Sequence, residues 1–128
     1  MNLNQVTVPS TDLEASARFY RRLGLRQIVE TSRDYARFEC PDGESTFSVH
    51  RAESRPVGAG VVVYFECEDL DGVVARLKAS GVRFESDPED KRWLWREAYL
   101  RDPDGNSICL YHAGANRRYP PWRMEPSG

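Results

Sequence analysis

The segment VVYFECEDL at residues 62–70 is similar to a second segment, QVTVPSTDL, at residues 5–13. In each stretch β-branched and aromatic residues lead to an aspartate, and these aspartates, Asp12 and Asp69, are 57 residues apart. A segment with apolar residues at helical spacing follows each aspartate and ends near a glycine, Gly24 or Gly81, again 57 residues apart. The chain therefore contains an internal repeat.

A second pair of matching segments extends the repeat. PDGES at residues 41–45 matches PDGNS at residues 103–107, and the two lie 62 residues apart. Pro-Asp-Gly favours a tight turn between strands, since proline presets φ and glycine tolerates the left-handed region. The offset grows from 57 to 62, so the second copy has five extra residues, which we place near residues 87–96.

Each copy predicts the order strand, helix, strand, strand, strand. Asp12 and Asp69 precede the helices as N-caps, and Gly24 and Gly81 follow them. The predicted helices cover residues 12–22 and 69–80. The predicted strands cover residues 3–9, 25–31, 34–40, 45–51, 60–67, 82–87, 94–101 and 106–112.

These elements predict an α+β fold of two tandem βαβββ units. A helix covers one face of each sheet, and the uncovered faces need a partner, so we expect curved mixed sheets that enclose a cleft, within one chain or across a dimer. The predicted domain spans residues 1–113, with unit one at 1–52, unit two at 59–113 and a C-terminal tail at 114–128.

The composition limits the classes of partner that the chain is expected to bind. The 18 basic and 20 acidic residues give a net charge of −2, which argues against nucleic acid or an anionic membrane and favours a small molecule. The apolar run at 61–65 is too short to span a bilayer. The three cysteines are scattered and suit reduced thiols, so we expect a cytoplasmic protein.

Several motifs carry a resemblance to a known family. They are QVTVPSTDLEAS at 5–16, the pairs at 19–20 and 23–24, YFECEDL at 64–70 and DPDGN at 102–106. In this order the motifs resemble the vicinal oxygen chelate superfamily, which includes glyoxalases, bleomycin resistance proteins and extradiol dioxygenases. The resemblance covers residues 2–112 and implies the fold of paired βαβββ units.

The resemblance also implies where a metal would bind. Metal enzymes of the superfamily use up to four ligands, and the matching positions here are Gln5, Phe47, Val62 and Cys109. Phenylalanine and valine cannot bind an ion, so we expect no metal cofactor. The alternative is one divalent metal ion held by an unconventional set that includes Gln5 and His50. Strand alternation counted from Phe47 and Cys109 places His50 and His112 on the opposite faces.

Alternation along the strands predicts which residues line the cleft. The third strands are expected to contribute Arg33, Tyr35, Arg37, Trp95, Glu97 and Tyr99, with Arg37 as a candidate clamp for a ligand carboxylate. We predict ligand-binding roles for Gln5, Thr7, Arg37, Phe47, Val62, Tyr64, Trp95, Tyr99, Cys109 and Tyr111.

This mostly aromatic and aliphatic lining predicts function. It suits metal-independent binding of a small aromatic or apolar organic molecule, as in antibiotic sequestration, rather than catalysis. The alternative is a metal-dependent lyase, isomerase or dioxygenase of the glyoxalase type. No catalytic residue can be named, because the predicted cleft lacks paired carboxylates and a cysteine beside a histidine.

The C-terminal tail ends in the extended segment RRYPPWRM at 117–124. Tyr119 and Trp122 favour docking on a groove or on a second subunit over a frayed end. Together with the open sheet edges, this tail predicts a homodimer.

Overall fold

The computed structural model of the chain describes residues 1–58 and 60–124. Its elements follow the predicted order and confirm the α+β fold of two tandem units. The first unit contains β1 (Gln5–Ser10), α1 (Leu13–Leu23), β2 (Arg26–Thr31), β3 (Tyr35–Glu39) and β4 (Thr46–Arg51). The second contains β5 (Val62–Glu66), α2 (Leu70–Ala79), β6 (Glu89–Asp90), β7 (Arg96–Arg101) and β8 (Ser107–His112).

Each unit forms one four-stranded sheet. The strand orders are β1-β4-β3-β2 and β5-β8-β7-β6, so the same topology occurs twice. In the first sheet β1 pairs with β4 in parallel while β3 pairs antiparallel with both β4 and β2, which makes the sheet mixed. Among the described residues, no helix is long and apolar enough to cross a membrane.

Backbone contacts divide the chain into two compact units. Unit 1 comprises Met1–Val61 together with Arg101–Ser107, and unit 2 comprises Val62–Leu100 and the chain from Ile108 onward. The turn between β7 and β8 therefore belongs to unit 1, although its strands belong to unit 2.

The predicted caps hold both helices. The carboxylate of Asp12 accepts a hydrogen bond from the Ala15 amide, and that of Asp69 accepts one from the Gly72 amide, each at 3.1 Å. These bonds satisfy first-turn amides that have no partner within the helix. Gly24 ends α1 at φ 109°, a conformation that favours glycine.

The core of unit 1 lies between α1 and its sheet. Tyr20 of α1 is fully buried, and its ring centroid lies 4.4 Å from that of Phe47 on β4. Phe38 and Val49 are also fully buried on this side of the sheet. Phe47 therefore belongs to the helix-side core, and the prediction that it lines the ligand site is wrong.

A one-residue difference between two turns explains this error. Six residues separate β3 from β4, whereas five separate β7 from β8, so the offset between the last strands is 61 rather than 62. Because side chains alternate along a strand, a shift of one residue moves each of them to the other face. The counterpart of Cys109 is Ser48, not Phe47.

The strand predicted at residues 82–87 does not form, and the two-residue β6 is the one strand between α2 and β7. The Glu85 amide still donates to the Tyr99 carbonyl at 2.7 Å, so the segment runs beside β7 without regular pairing. Pro88 lacks an amide hydrogen and cannot donate to a ladder there.

The turn between β7 and β8 is held by one carboxylate. Asp102 accepts hydrogen bonds from the amides of Asp104 and Asn106, from the Asn106 side chain and from the Tyr20 hydroxyl, at 2.7 to 3.0 Å. The Asn106 side chain also donates to the Pro9 carbonyl at 3.1 Å. These bonds tie the turn to α1 and to the end of β1 within unit 1.

Candidate functional site

Aromatic side chains gather on the face of the unit 2 sheet that lies away from α2. Arg96 on β7 donates to Asp71 of α2, so its neighbours Trp95 and Glu97 project to the other face. We call this surface the aromatic face, defined by Val62, Tyr64, Trp93, Trp95, Glu97, Tyr99, Cys109 and Tyr111.

Three rings form an ordered cluster on the aromatic face. Trp95 stacks on Tyr111 with centroids 4.7 Å apart and planes 22° apart. Tyr64 meets both edge-on, at 5.9 Å from Trp95 and 5.5 Å from Tyr111. Offset-stacked and edge-to-face pairs are the favoured arrangements of aromatic rings, so the cluster is a preorganised apolar platform.

The start of the C-terminal tail supports this platform. The indole nitrogen of Trp95 donates to the Asn116 carbonyl at 3.3 Å, which restricts the ring. Glu66 accepts from the amides of Ala113 and Gly114 at 2.7 and 2.9 Å, and this fixes the short 3-10 turn Gly114–Asn116. The tail therefore contributes to the candidate site through its first residues.

A buried carboxylate lies within the aromatic face. Glu97 is only 2% exposed. One of its oxygens accepts from the Trp93 indole at 2.6 Å, and the other accepts from the Tyr99 hydroxyl at 2.7 Å. Burial, followed by the hydrogen bond to Glu97, raises the pKa of Tyr99 above the usual range for tyrosine.

Cys109 forms the floor of the aromatic face. Its side chain is fully buried, and its thiol donates to the Leu110 carbonyl at 3.7 Å. Burial, with the negative charge of Glu97 nearby, raises the pKa of Cys109 to about 12. This shift disfavours the thiolate, which is the nucleophilic form of cysteine.

The corresponding face of unit 1 is polar. We call it the polar face, defined by Gln5, Thr7, Tyr35, Arg37, Thr46, Ser48 and His50, which share one side of the sheet by their register. Thr46 donates to the Gln5 side chain at 2.8 Å, and the hydroxyls of Thr7 and Ser48 lie 2.6 Å apart. Gln5 and Thr7, which the sequence placed in a cleft, are therefore each hydrogen-bonded to a side chain of β4.

The surroundings of Tyr35 on the polar face shift the pKa of its hydroxyl. Its hydroxyl accepts from Arg37 Nε at 2.8 Å, and the guanidinium carbon lies 5.3 Å from the ring centroid. The hydrogen bond with Ser48 lowers the pKa of Tyr35, burial opposes it, and Arg37 and Gln5 lower it further. In the part of the chain that the structure describes, no carboxylate pairs with Arg37.

The donor chemistry of these residues does not fit the metal site of the superfamily's enzymes. Val62 has no donor atom, and the hydroxyl of Ser48, at the position corrected from Phe47, is engaged by Thr7. The Cys109 thiol is buried, and the Gln5 oxygen is engaged by Thr46. Over residues 1–58 and 60–124, no three His, Cys, Asp or Glu side chains lie close enough together to hold an ion.

The alternative pair of metal ligands is too far apart. The register places His50 opposite Pro9, on the same face as Gln5. His50 does face away from Phe47 as predicted, but Phe47 lies in the helix-side core, so His50 is on the polar face. Gln5 and His50 are four residue pairs apart along the sheet, about 13 Å at about 3.3 Å per residue. One ion cannot bind both.

His112 lies at the end of β8, on the opposite face from Cys109, as alternation predicted. It is exposed, and its Nδ1 lies 3.0 Å from the Cys67 carbonyl and 3.9 Å from Glu66. These contacts hold it beside the start of the tail and away from the rings of the aromatic face.

Arg33, which the sequence placed in the broader cleft set, lies instead in the turn between β2 and β3. The structure divides the ten predicted ligand-binding residues into three groups. Phe47 is in the core, and Gln5, Thr7 and Arg37 lie on the polar face. The aromatic face holds the rest, Val62, Tyr64, Trp95, Tyr99, Cys109 and Tyr111.

Two important side chains were missing from the predicted ligand set. Glu97 lies between Trp95 and Tyr99 on β7, and alternation alone places it on their face. Ser48 was missed because the offset of 62 pointed to its neighbour Phe47. The one-residue difference between the two turns is visible only in the strand bounds of the structure, because the predicted turns have equal lengths.

A groove elsewhere in unit 1 has a different character. Its volume is about 1060 Å³, and its lining mixes acids with bases, including Asp12, Glu14, Arg21, Glu30, Arg33 and Arg51. This balance of charges offers no single recognition chemistry, so the aromatic face is the stronger candidate site.

Comparison with known proteins agrees with this architecture. A family model described as the Glyoxalase/Bleomycin resistance protein/Dioxygenase superfamily matches residues 2–110. The chain belongs to this superfamily. A superfamily-wide resemblance shows the fold, whereas activities differ among its members.

One curated protein and several solved structures are similar to this superfamily member. The uncharacterized protein YraH of Bacillus subtilis strain 168 is 31% identical over 127 residues, covering 87% of this chain and 98% of that protein. A Nocardioides glyoxalase/bleomycin resistance protein/dioxygenase has a TM-score of 0.80 at 24% identity, covering 98% and 90% of the two chains.

Two further structures represent different functions within the superfamily. The bleomycin-binding protein complexed with bleomycin has a TM-score of 0.72 at 22% identity, covering 88% of this chain and 98% of that one. Lactoylglutathione lyase of Agrobacterium tumefaciens also has a TM-score of 0.72 at 22% identity, covering 87% and 92%. At these identities the likeness shows the fold alone.

Proposed function

We propose that this chain binds a small, flat organic molecule on the aromatic face by ring stacking and without a metal ion. The observation that carries the proposal is the ordered cluster of Trp95, Tyr111 and Tyr64. Tyr64 is 45% exposed and Trp93 is 40% exposed, so ring surface beside the cluster faces solvent. Exposed, preorganised aromatic surface is the usual chemistry of a site for planar ligands.

Binding and sequestration are the proposed role, and the fold shared with a bleomycin-binding protein is compatible with it. A metal-dependent lyase, isomerase or dioxygenase is the alternative, and similarity to a lactoylglutathione lyase is compatible with it. The donor set argues against that alternative, because Val62 occupies one of the four positions and has no donor atom.

Homodimer formation remains part of the proposal. Tyr119 and Trp122 are 58% and 57% exposed, and large exposed rings favour a partner surface. Light scattering measures the mass in solution, and a monomer at every accessible concentration would remove this part.

The binding proposal is tested with point variants. A screen of planar aromatic compounds by thermal shift supplies a ligand, and calorimetry then compares the wild type with Trp95→Ala and His50→Ala. We expect Trp95→Ala to weaken binding about 30-fold, the effect of about 2 kcal/mol from a central stacking residue. His50→Ala should change affinity by less than about threefold, because His50 lies on the polar face.

Trp95→Phe is the matched control, since it keeps a ring at this position and should retain most of the affinity. Circular dichroism confirms that each variant is folded. A larger loss in His50→Ala than in Trp95→Ala, or no stabilising compound in the screen, would contradict the proposal.

A further inference from the structure

Glu97 is a buried carboxylate without a buried cation. It is 2% exposed, and both hydrogen bonds to its oxygens come from neutral groups, the indole of Trp93 and the hydroxyl of Tyr99. An indole nitrogen can only donate, so the Glu97 oxygen that it meets acts as an acceptor. Across the described residues, no Lys, Arg or His lies within ion-pair distance of Glu97.

The basic groups near the aromatic face have other partners. Lys91 pairs with Glu89 at 3.5 Å, and Arg96 donates to Asp71 and Asp90. A carboxylate out of water is costly to keep charged unless a cation or further donors compensate it. The aromatic face therefore holds a buried carboxyl group that forms no ion pair with a basic side chain of the described residues.

Two aromatic rings of the face that contains Glu97 are partly exposed to solvent. Trp93 donates to Glu97 and is 40% exposed, while Tyr64 is 45% exposed. The face of an aromatic ring attracts cations through its quadrupole. A donor group bonded to a carboxylate is polarised by it, which raises electron density on the ring and strengthens that attraction.

We infer that the aromatic face selects organic cations, meaning ligands with an ammonium or quaternary ammonium group next to a planar ring. Glu97 is the counter-charge, and Trp93 presents it to the ligand through its ring face. This inference rests on the proposed function and adds the chemical class of the ligand. It explains why a fully hydrogen-bonded carboxylate lies among rings that have no basic partner.

Two probes of equal shape test the inference. (3-Hydroxyphenyl)trimethylammonium and 3-tert-butylphenol differ by one positive charge, and calorimetry measures the affinity of each for the full chain. We expect the cation to bind at least about tenfold more tightly at low salt. In Glu97→Gln the ratio of the two affinities should fall to near one.

Two further variants are controls for the comparison of the two affinities. Glu68→Gln removes an exposed carboxylate outside the aromatic face and should leave the ratio unchanged. Glu97→Asp keeps the charge and should retain a preference for the cation, which covers the case in which Glu97→Gln does not fold.

The possible failures are distinguishable. Equal binding of both probes to the wild type, or an unchanged ratio in Glu97→Gln, overturns the cation inference and leaves the proposed function intact. Failure of both probes to bind overturns both. Conversion of a dimer into a monomer by Glu97→Gln would show that a partner chain supplies the cation, and this also overturns the inference.

Discussion

At the scale of single residues, charges without partners distinguish the two sheet faces. On the polar face Arg37 donates to Tyr35 and pairs with no carboxylate among the described residues. On the aromatic face, the hydrogen bonds that Glu97 accepts from the described residues come from neutral donors. Each face therefore holds an ionisable side chain that has no ion-pair partner among the described residues, a glutamate beside rings in unit 2 and an arginine beside hydroxyls in unit 1.

Tyr35 reports the electrostatics of the polar face. The hydrogen bond with Ser48 and the guanidinium of Arg37 lower its pKa, whereas burial raises the pKa values of Tyr20, Tyr99 and Tyr111. We predict that carbon-13 NMR of labelled tyrosine rings, titrated with alkali, shows Tyr35 ionising before those three. Tyr35→Phe assigns the signal.

Variants identify the cause of this shift. Ser48→Ala and Arg37→Met should each raise the pKa of Tyr35, because each removes a group that lowers it. Arg33→Met, in the turn between β2 and β3, should not change it. If neither Ser48→Ala nor Arg37→Met moves the pKa, the network on the polar face does not exist in solution.

Predictions for single residues from the sequence depended on the parity of each strand, that is, on which alternate residues were assigned to which face of the sheet. Parity was right on β7 and β8, and Trp95, Tyr99, Cys109 and Tyr111 lie together. It was wrong on β4, because the preceding turn has one more residue than its counterpart. The hydrogen bonds to Glu97 need two side chains in three dimensions, and no sequence pattern encodes them.

At the scale of elements, turns fix the positions of strands and helices. The turn between β7 and β8 carries Asp104, whose side chain is 2% exposed. Its carboxylate accepts from the amide and the hydroxyl of Thr11, next to the start of α1. This contact joins residues 93 positions apart in the sequence.

Asp104 gives unit 1 a predictable dependence on pH. Burial raises its pKa, but the hydrogen bonds from Thr11, Ser10 and Ser16 outweigh burial and the net pKa is lowered. A lowered folded-state pKa adds stability above the unfolded-state value, near 4, and this stability is lost as the pH falls through the folded-state pKa. We predict that Asp104→Asn lowers the free energy of unfolding by about 2 kcal/mol at pH 7, as expected for hydrogen bonds to a charged group.

Denaturant unfolding between pH 7 and pH 3 measures this effect. The difference between wild type and Asp104→Asn should shrink below about pH 4, where the wild-type carboxyl gains its proton. Glu44→Gln, in the exposed turn before β4, is the control and should match the wild type throughout. A variant that is as stable as the wild type at pH 7 would contradict the role of Asp104.

Elements could be predicted where local signals agreed. Both helices begin at their predicted aspartate caps, and seven strands lie where alternation and turns placed them. The segment 82–87 failed because it meets β7 through the Tyr99 carbonyl without forming a ladder. Long-range pairing of this kind has no local signature.

At the scale of the whole chain, the internal repeat was enough to predict the architecture. Two copies of one unit give two sheets of identical strand order, and membership of the superfamily agrees. The assignment of the turn Arg101–Ser107 to unit 1 could not be predicted, since it depends on bonds from Tyr20, Thr11 and Asn106. Function is less predictable than fold, because it depends on a few side chains on each face.

The central claim is binding on the aromatic face without a metal ion. Calorimetric titration with the strongest compound from the thermal-shift screen, before and after dialysis against a chelator, tests it most directly. We predict the same affinity within about twofold in both states, and a change within about tenfold in Gln5→Ala, because Gln5 already bonds Thr46 on the polar face. Binding that disappears on chelation and returns with one equivalent of zinc, nickel, iron or manganese would contradict the claim.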